Sequence, residues 1–521
     1  MKSFIPQHIV LKTIETVEKL NHEKKTKEQT LDNLLDLIEP VDFLSIVYPN
    51  SQKNLDDLNE LDAKFSQPDA NGKLNPDALT KEESERFKKL QSIVKSYKLN
   101  QRHYKIISVE KLIEIAKENN LGLCRNQGSF LAYNGEYWLT IDKDTVKQFL
   151  VKVSKKMGVP VFDAKDSDYT EKMFNQIYQD SYLSKQNNKV ELLINLQNGT
   201  LSIDGDKIAL RKFDANNLLT YQLNYQYNPD ATCPMFMEFL NRVLPDINKQ
   251  YILSEFLSYV FVPVSKLKLE KTILLYGQGG NGKSVIFDIV RAILGEENIC
   301  SYTLQNLTDT NGYYRAKLPN KLLNYSSEIG KNNNNDLVKK LISIEPIDCR
   351  TPHNEPFQGV DYAKLMFNCN ELPKEVEHTN AFFRRLVILN FDVTIPKHEQ
   401  DRNLAQKIIS SELSGIFNWI LEGLKRLIKQ GDLTKSKEVD EASRLYQTES
   451  NSVLTFIEEE GYSKDIVSKV YLKQIYDDYK TYCNESGRRA VAKGEYKKRM
   501  ETNGFFCIHD RNGDYFNLIK Q

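Results

Sequence analysis

The chain has no net charge to speak of: 71 Lys and Arg offset 71 Asp and Glu over 521 residues. A field that attracts nucleic acid or an anionic surface must therefore be local rather than global. It lacks any apolar run approaching the ~18 residues of a membrane span, which excludes a transmembrane helix. The first residues, MKSFIPQHIVLK, lack a signal peptide's apolar core and cleavage site. Cys124, Cys233, Cys300, Cys349, Cys369, Cys483 and Cys507 are scattered, with no C-x-x-C pair. That spacing argues against a disulfide framework or a zinc site and implies a reducing, cytoplasmic setting. With 40% hydrophobic and 27% charged residues, the composition is that of an ordinary soluble protein of about three domains.

What is present centres on Lys271–Ile293, KTILLYGQGGNGKSVIFDIVRAI. An apolar run at Thr272–Tyr276 leads through Gly277, Gln278, Gly279, Gly280, Asn281, Gly282, Lys283 and Ser284 into a helical pattern. This is G-x-x-x-x-G-K-S between a buried-type strand and a helix, the context in which the motif cradles phosphates. Glycines let successive N–H groups turn toward phosphate oxygens, and the helix N-terminus adds positive potential. Lys283 would reach the β- and γ-phosphates, and Ser284 would place its hydroxyl on Mg²⁺. The bland alternative is a glycine-rich turn that binds nothing. The full motif with both flanks favours a nucleoside triphosphate site.

Upstream, residues 1–104 read as a charged, helical region, a solvated appendage with helical spacing at Leu31–Ile38 and Lys81–Lys98 and a linker at Ser66–Asn75. Residues 105–230 read as a small α+β domain. It has a hairpin at Phe130–Ile141 around Asn134-Gly135, a helix at Asp142–Lys156, strands about Asn198-Gly199, and a strand at Leu218–Tyr227. Its aromatic residues read as core rather than as base-stacking platforms.

Downstream of the loop, Lys321–Ser327 is a strand ending at Glu328. Placed on the strand neighbouring the loop, that acid can polarise water and help hold Mg²⁺. Pro346–Glu355 reads as a strand entering a turn. Ala363–Asn368 is a buried strand whose end, Asn370, can orient a γ-phosphate or the attacking water. Arg384 and Arg385 precede a further apolar strand. Residues 401–430 are helical, and 431–464 form a linker helix. Over 465–521 the order helix, helix, hairpin is winged-helix-like. Arg488, Arg489, Lys493, Lys497, Lys498 and Arg499 there face only Glu485 and Glu495. That excess suits either contact with nucleic-acid phosphates or a solvated basic face.

The block from about Asn195 to Phe391 resembles the helicase part of phage and plasmid primase–helicases, superfamily 3 members of the AAA+ ATPases related to the poxvirus primase–helicase. The matching pieces are Asn198–Leu201, Tyr227–Ala231 with Cys233-Pro234, the GQGGNGKS loop, Leu322–Glu328, Lys339–Arg350, Lys364–Asn370 and Phe383–Arg385, followed by Glu412–Gly423 and the winged-helix-like tail. The resemblance implies an α/β fold with an AAA+ core over 231–430. It implies ATP and Mg²⁺ bound by Lys283, Ser284 and Glu328, a γ-phosphate sensor at Asn370, and a finger, Arg384 or Arg385, acting on a neighbouring subunit. It also implies a hexameric ring with single-stranded DNA in its pore. Arg350 and His353 fall where the superfamily places its pore hairpin, though a plain turn is an equal reading for His353. Relatives outside this branch often carry Asp beside the Walker B Glu, where this chain has Ser327. Where many read Leu-Thr-Gly-Gly-Asp, it has Leu341–Glu345.

The function expected from these residues is an ATP-driven DNA helicase replicating a phage, plasmid or mobile element in a bacterial cytoplasm. A separate primase or loader would be a partner. The alternative is an ATP-switched replication initiator that binds and melts an origin without processive unwinding. A primase on this chain would need catalytic metal ligands that residues 1–104 do not offer.

Overall fold

In the computed structural model, residues 28–66, 79–126, 129–181, 191–205, 207–329, 334–351, 355–372, 380–487 and 490–520 are described. They fall into two compact units, one within Met1–Gln186 plus Phe213–Thr220, the other within Asn187–Lys212 plus Tyr221–Gln521. No helix among the described residues is long and apolar enough to cross a membrane.

In the first unit, helices Gln101–Glu118, Lys143–Met157 and Ser167–Asp180 enclose a core of Leu112, Phe149, Leu150, Met173 and Ile177. Leu31, Leu34, Ile38 and Phe43 share that core, so 28–47 is not the solvated appendage expected from its charge. The apolar spacing of those few residues outweighs the polar majority, because each large side chain fully buried contributes about 1.5–3 kcal/mol. The expected linker lies almost wholly outside the described residues. Strands Gly122–Asn126, Ser129–Tyr133 and Trp138–Ile141 form an antiparallel sheet. Its second turn is set by Asn134, whose Oδ1 accepts from the N–H groups of Glu136 and Tyr137 at 2.9 and 2.8 Å.

The strand expected at Leu218–Tyr227 is absent. Leu218 takes φ 51° at the very start of this run, and beyond it only an isolated bridge joins Leu223 to Leu196. Leu218 instead packs on Cys124, Leu131, Tyr133 and Trp138. The sequence pattern did not register that one side of the segment belongs to each unit.

The second unit holds the candidate site. Helices α1 (Pro234–Val243) and α2 (Ile247–Tyr259) lead to strand β1 (Thr272–Tyr276) and helix α3 (Lys283–Leu294). Strands β2 (Ile299–Cys300), β3 (Leu323–Ser326), β4 (Lys364–Cys369) and β5 (Leu386–Asn390) follow, then the 27-residue helix α4 (Leu404–Gln430). The five strands form one sheet in the order β5-β1-β4-β3-β2, every pair parallel. Their residues are buried almost throughout, as expected of parallel strands covered on both faces. This is a mixed α/β architecture with a parallel sheet of the P-loop NTPase kind.

Helix α3 buries Ile286, Ile289, Val290 and Ile293 at helical spacing against Phe236, Leu253, Leu257, Ile416 and Ile420 of α1, α2 and α4. Helix α1 has no cap of its own. Glu412 on α4 supplies one, its carboxylate accepting from the N–H groups of Met235 and Phe236 at 3.0 and 2.9 Å. Glu412→Ala strands those donors in a buried place and is expected to cost about 1–3 kcal/mol in chemical denaturation. Gly423 lets α4 approach α2 closely, since a Cβ there would lie 2.6 Å from the Ser254 carbonyl carbon.

At the start of β4, buried Lys364 donates to the Val262 carbonyl at 3.3 Å and lies over the Tyr259 ring. Burial lowers its pKa to about 8. Below that value the lysine is charged in both folded and unfolded chains and the desolvation cost is fully present. Between about 8 and 10.5 the unfolded chain binds more protons, so stability rises with pH. Lys364→Met is expected to raise the melting temperature at pH 7 and to erase this part of the rise, as melts at pH 7 and 9.5 would show.

Residues 452–520 form a separate core around Phe456, Ile475, Tyr479, Tyr496, Met500 and Phe516. Their order is helix Ser452–Glu459, strand Tyr462–Tyr471, helices Leu472–Glu485 and Lys493–Thr502, and strands Cys507–Asp510 and Gly513–Lys520. The sequence reading counted the first helix within the linker helix at 431–464 and missed the first strand, because that strand carries four residues that break its register between Lys464 and Lys469.

Candidate nucleotide site and nucleic-acid surfaces

The loop 277–282 joins the C-terminal end of β1 to α3, whose N-terminus has no side-chain cap. The first N–H groups of such a helix have no intrahelical partner and are available to a ligand. Gly280 and Gly282 take φ 78° and 86°, where a Cβ is disfavoured. At Gly282 a Cβ would also meet Phe239 and Val243 of α1 at 2.9 Å. Gln278, Gly279, Gly280 and Ser284 are exposed, so the loop's open side and the Ser284 hydroxyl face solvent. The donor set thus suits a phosphate chain and an accompanying divalent cation.

Lys283 is buried, at 6% exposure. Its ammonium donates to the carbonyls of Gly277 and, at 3.1 Å, Gln278, and to Asn281 Oδ1 at 3.0 Å. Burial lowers its pKa, while the neighbouring Cys369 thiol acts weakly the other way. Burial also pushes the Cys369 thiol up to about 12.

Asn370 follows β4 directly and Glu328 lies two residues past β3, both exposed. The sequence reading put Glu328 on the strand beside the loop. The sheet order corrects this: β4 intervenes, and at about 4.8 Å per strand step Glu328 stands roughly 10 Å to the side. The ends of β1, β4 and β3 therefore present the loop, Asn370 and Glu328 in a row. Beneath them Tyr325 donates to Asn368 Oδ1 at 2.7 Å, a buried cross-strand pair that the sequence did not reveal.

Arg384 and Arg385 lie at the other end of the sheet. In the parallel register Leu386 sits beside Thr272, and the Thr272 N–H donates to the Arg385 carbonyl at 2.9 Å. The two side chains differ. Arg385 is 8% exposed and donates to Ser343 Oγ at 3.0 Å, to the Ala381 carbonyl, and to Glu270 at 3.3 Å. Arg384 has a side chain 65% exposed, 3.9 Å from Glu270.

Arg350 is exposed just past strand Ile347–Cys349, which pairs antiparallel with Phe357–Gly359. His353 lies outside the described residues, as do Arg488 and Arg489. Buried Arg315, another residue the sequence reading passed over, fastens the base of this hairpin. It donates to the carbonyls of Asp348 at 2.9 Å, Leu307 at 3.0 Å and Asp309 at 2.6 Å. Near the C-terminus, Lys493 and Lys498 are exposed, while Lys497 pairs with Asp514 at 2.7 Å and Arg499 with Glu495 at 2.9 Å. Two members of the expected basic cluster are therefore locally neutralised. Among the described residues no group of three or more His, Cys, Asp or Glu is arranged to hold a metal ion.

A sheet of this order with a glycine-rich loop at its C-terminal edge defines a P-loop NTPase-like unit. Two family models match parts of the chain. One, described as D5 N terminal like, covers residues 110–245; the other, a family of unknown function (DUF5906), covers 275–385. Together they overlap the block on which the sequence resemblance rests. Among solved structures, the chain is similar to apo forms of the NrS-1 C-terminal region. One A-form structure matches at 12% identity and TM-score 0.43, another at 13% and 0.42, each covering 78% of this chain and 98% of the other.

Proposed function

We propose that the chain is an ATP-dependent, ring-forming DNA helicase that serves replication of a phage, plasmid or other mobile element. The observation that carries the reading is the row formed by the loop, Asn370 and Glu328 along one sheet edge, with Arg384 exposed at the opposite edge. In this reading Lys283 and the α3 N–H groups bind the phosphates, Glu328 orients and activates water, and Asn370 senses the γ-phosphate. Ser284 and Glu328 would hold the Mg²⁺ that accompanies ATP, which neutralises charge on the phosphate oxygens.

Strand β5 spans five residues, roughly 15 Å, between Arg384 and the loop edge of its own sheet. Arg384 is thus too far from its own loop to complete that site, which supports a finger acting on a neighbour and hence a ring, taken as a hexamer. Arg385 is then a scaffold residue. The hairpin whose first strand Arg350 follows would grip single-stranded DNA in the pore, with Arg350 and, from the resemblance, His353 as the contacts. The order helix, strand, helix, helix, strand, strand supports a winged-helix-like module at 452–520. Lys493 and Lys498, with Arg488 and Arg489, would be its phosphate contacts, while Lys497 would first have to give up its pairing with Asp514.

The test is ATP hydrolysis with and without single-stranded DNA at fixed salt. A strong rise on adding DNA is expected. Slow hydrolysis that ignores single strands, with tight binding to one duplex sequence, would replace the motor by an initiator switch.

A further inference from the structure

The loop's lysine is already occupied, and one side chain links it to the segment that follows β5. Asn281 is 3% exposed, and both ends of its carboxamide are used. Its Oδ1 accepts from Lys283 Nζ at 3.0 Å, and its Nδ2 donates to the Phe391 carbonyl at 3.0 Å. Phe391 is the first residue past β5, and its N–H donates to the Tyr276 carbonyl at 2.8 Å, at the root of the loop. From there a strap, 391–400, runs along the loop. The Ile395 N–H donates to the Gly280 carbonyl at 2.8 Å, and Gln400 Nε2 donates back to the Ile395 carbonyl at 2.7 Å. The strap is anchored outside the loop as well, with Glu399 paired to Arg242 of α1 and Asp392 lying 3.9 Å from buried Lys249 of α2. The fit at Gly277 is tight: a Cβ there would lie 2.3 Å from Asn281 Nδ2 and 2.6 Å from the Phe391 carbonyl oxygen.

We propose that Asn281 is a positioning residue that latches Lys283 to the loop and the loop to the 391–400 strap. The proposal rests on the phosphate-site reading for its functional meaning, not for its geometry. An ammonium held by three oxygens must exchange them for phosphate oxygens when a triphosphate enters. Release of Lys283 frees Asn281 Oδ1, whereas the Nδ2 bond to Phe391 need not break. Asn281 thereby keeps the strap in place while the lysine moves, and the two halves of the carboxamide have separable jobs.

Asn281→Asp keeps an acceptor for Lys283 but cannot donate to Phe391; Asn281→Ala removes both. Two readouts at one fixed pH separate these jobs. One is the rate at which Lys283 is acylated in competitive trace labelling, read by mass spectrometry. The other is amide hydrogen exchange over 391–395. The expected pattern is that Asn281→Ala raises labelling by about tenfold, the lower end for a hydrogen bond to a charged group, and exchange by about fivefold, within the range for a neutral one, while Asn281→Asp raises only the strap's exchange. Equal effects of the two substitutions on both readouts, or no effect of either, would overturn the latch. Melting curves of each variant identify a general loosening, which also counts against it. Titration of wild type with a fluorescent ATP analogue is run separately. Absence of binding there would sink the phosphate-site reading while leaving the latch decided by the labelling and exchange pattern.

Discussion

Arg384→Ala is expected to bind nucleotide as wild type does and to lose turnover by roughly 10³-fold or more, the range found for arginine fingers in nucleotide hydrolases. The residue is exposed, makes one loose approach to Glu270, and stands at the sheet end remote from its own loop. Its removal should therefore leave the fold intact. Arg385→Ala should behave differently. That guanidinium is buried and joins Ser343, Ala381 and Glu270 across three segments. Its loss leaves buried acceptors unpaired, costing about 1–3 kcal/mol, and should show first as a lower melting temperature. Mixing Arg384→Ala with Glu328→Gln under subunit exchange tests the in-trans role. Each mutant spoils a different half of an interface, so mixed rings contain some intact sites and recover hydrolysis. Failure to recover any would remove the support for a finger acting between subunits.

Lys283→Ala is expected to weaken nucleotide binding by about 10²-fold, because charge-assisted hydrogen bonds to phosphate each contribute about 1.5–3 kcal/mol. The side chain sits within the loop it serves, held by Gly277, Gln278 and Asn281. A nucleotide bound as proposed would have to outcompete those oxygens, so its affinity would reflect an exchange rather than a free gain. Titration with a fluorescent ATP analogue reads the effect directly. Unchanged affinity would mean that the loop does not bind triphosphate phosphates through this lysine.

Much of the second unit was legible because its signals are local. The run Thr272–Tyr276, the glycines, and the helical spacing from Ile286 to Ile293 each depend on neighbours within one or two turns. What was not legible is non-local. The contrast between exposed Arg384 and buried Arg385 depends on Ser343 and Glu270, which are far along the chain. The insertion of β4 between β1 and β3 is a matter of strand order, which spacing does not encode. The strap 391–400 carries no regular period and gains its position from Gly280, Asn281 and Arg242. The run Leu218–Tyr227, which composition alone read as a strand, opens on a left-handed residue and pairs only through the Leu223–Leu196 bridge.

The central claim is that nucleotide turnover at this sheet edge drives strand separation. Displacement of a labelled strand from forked duplexes with a 3′ or a 5′ tail tests it, with wild type compared against Glu328→Gln in ATP and Mg²⁺. Displacement by wild type alone, with one tail preferred, is the predicted result. Hydrolysis by a folded wild-type assembly with no displacement from either fork would contradict it.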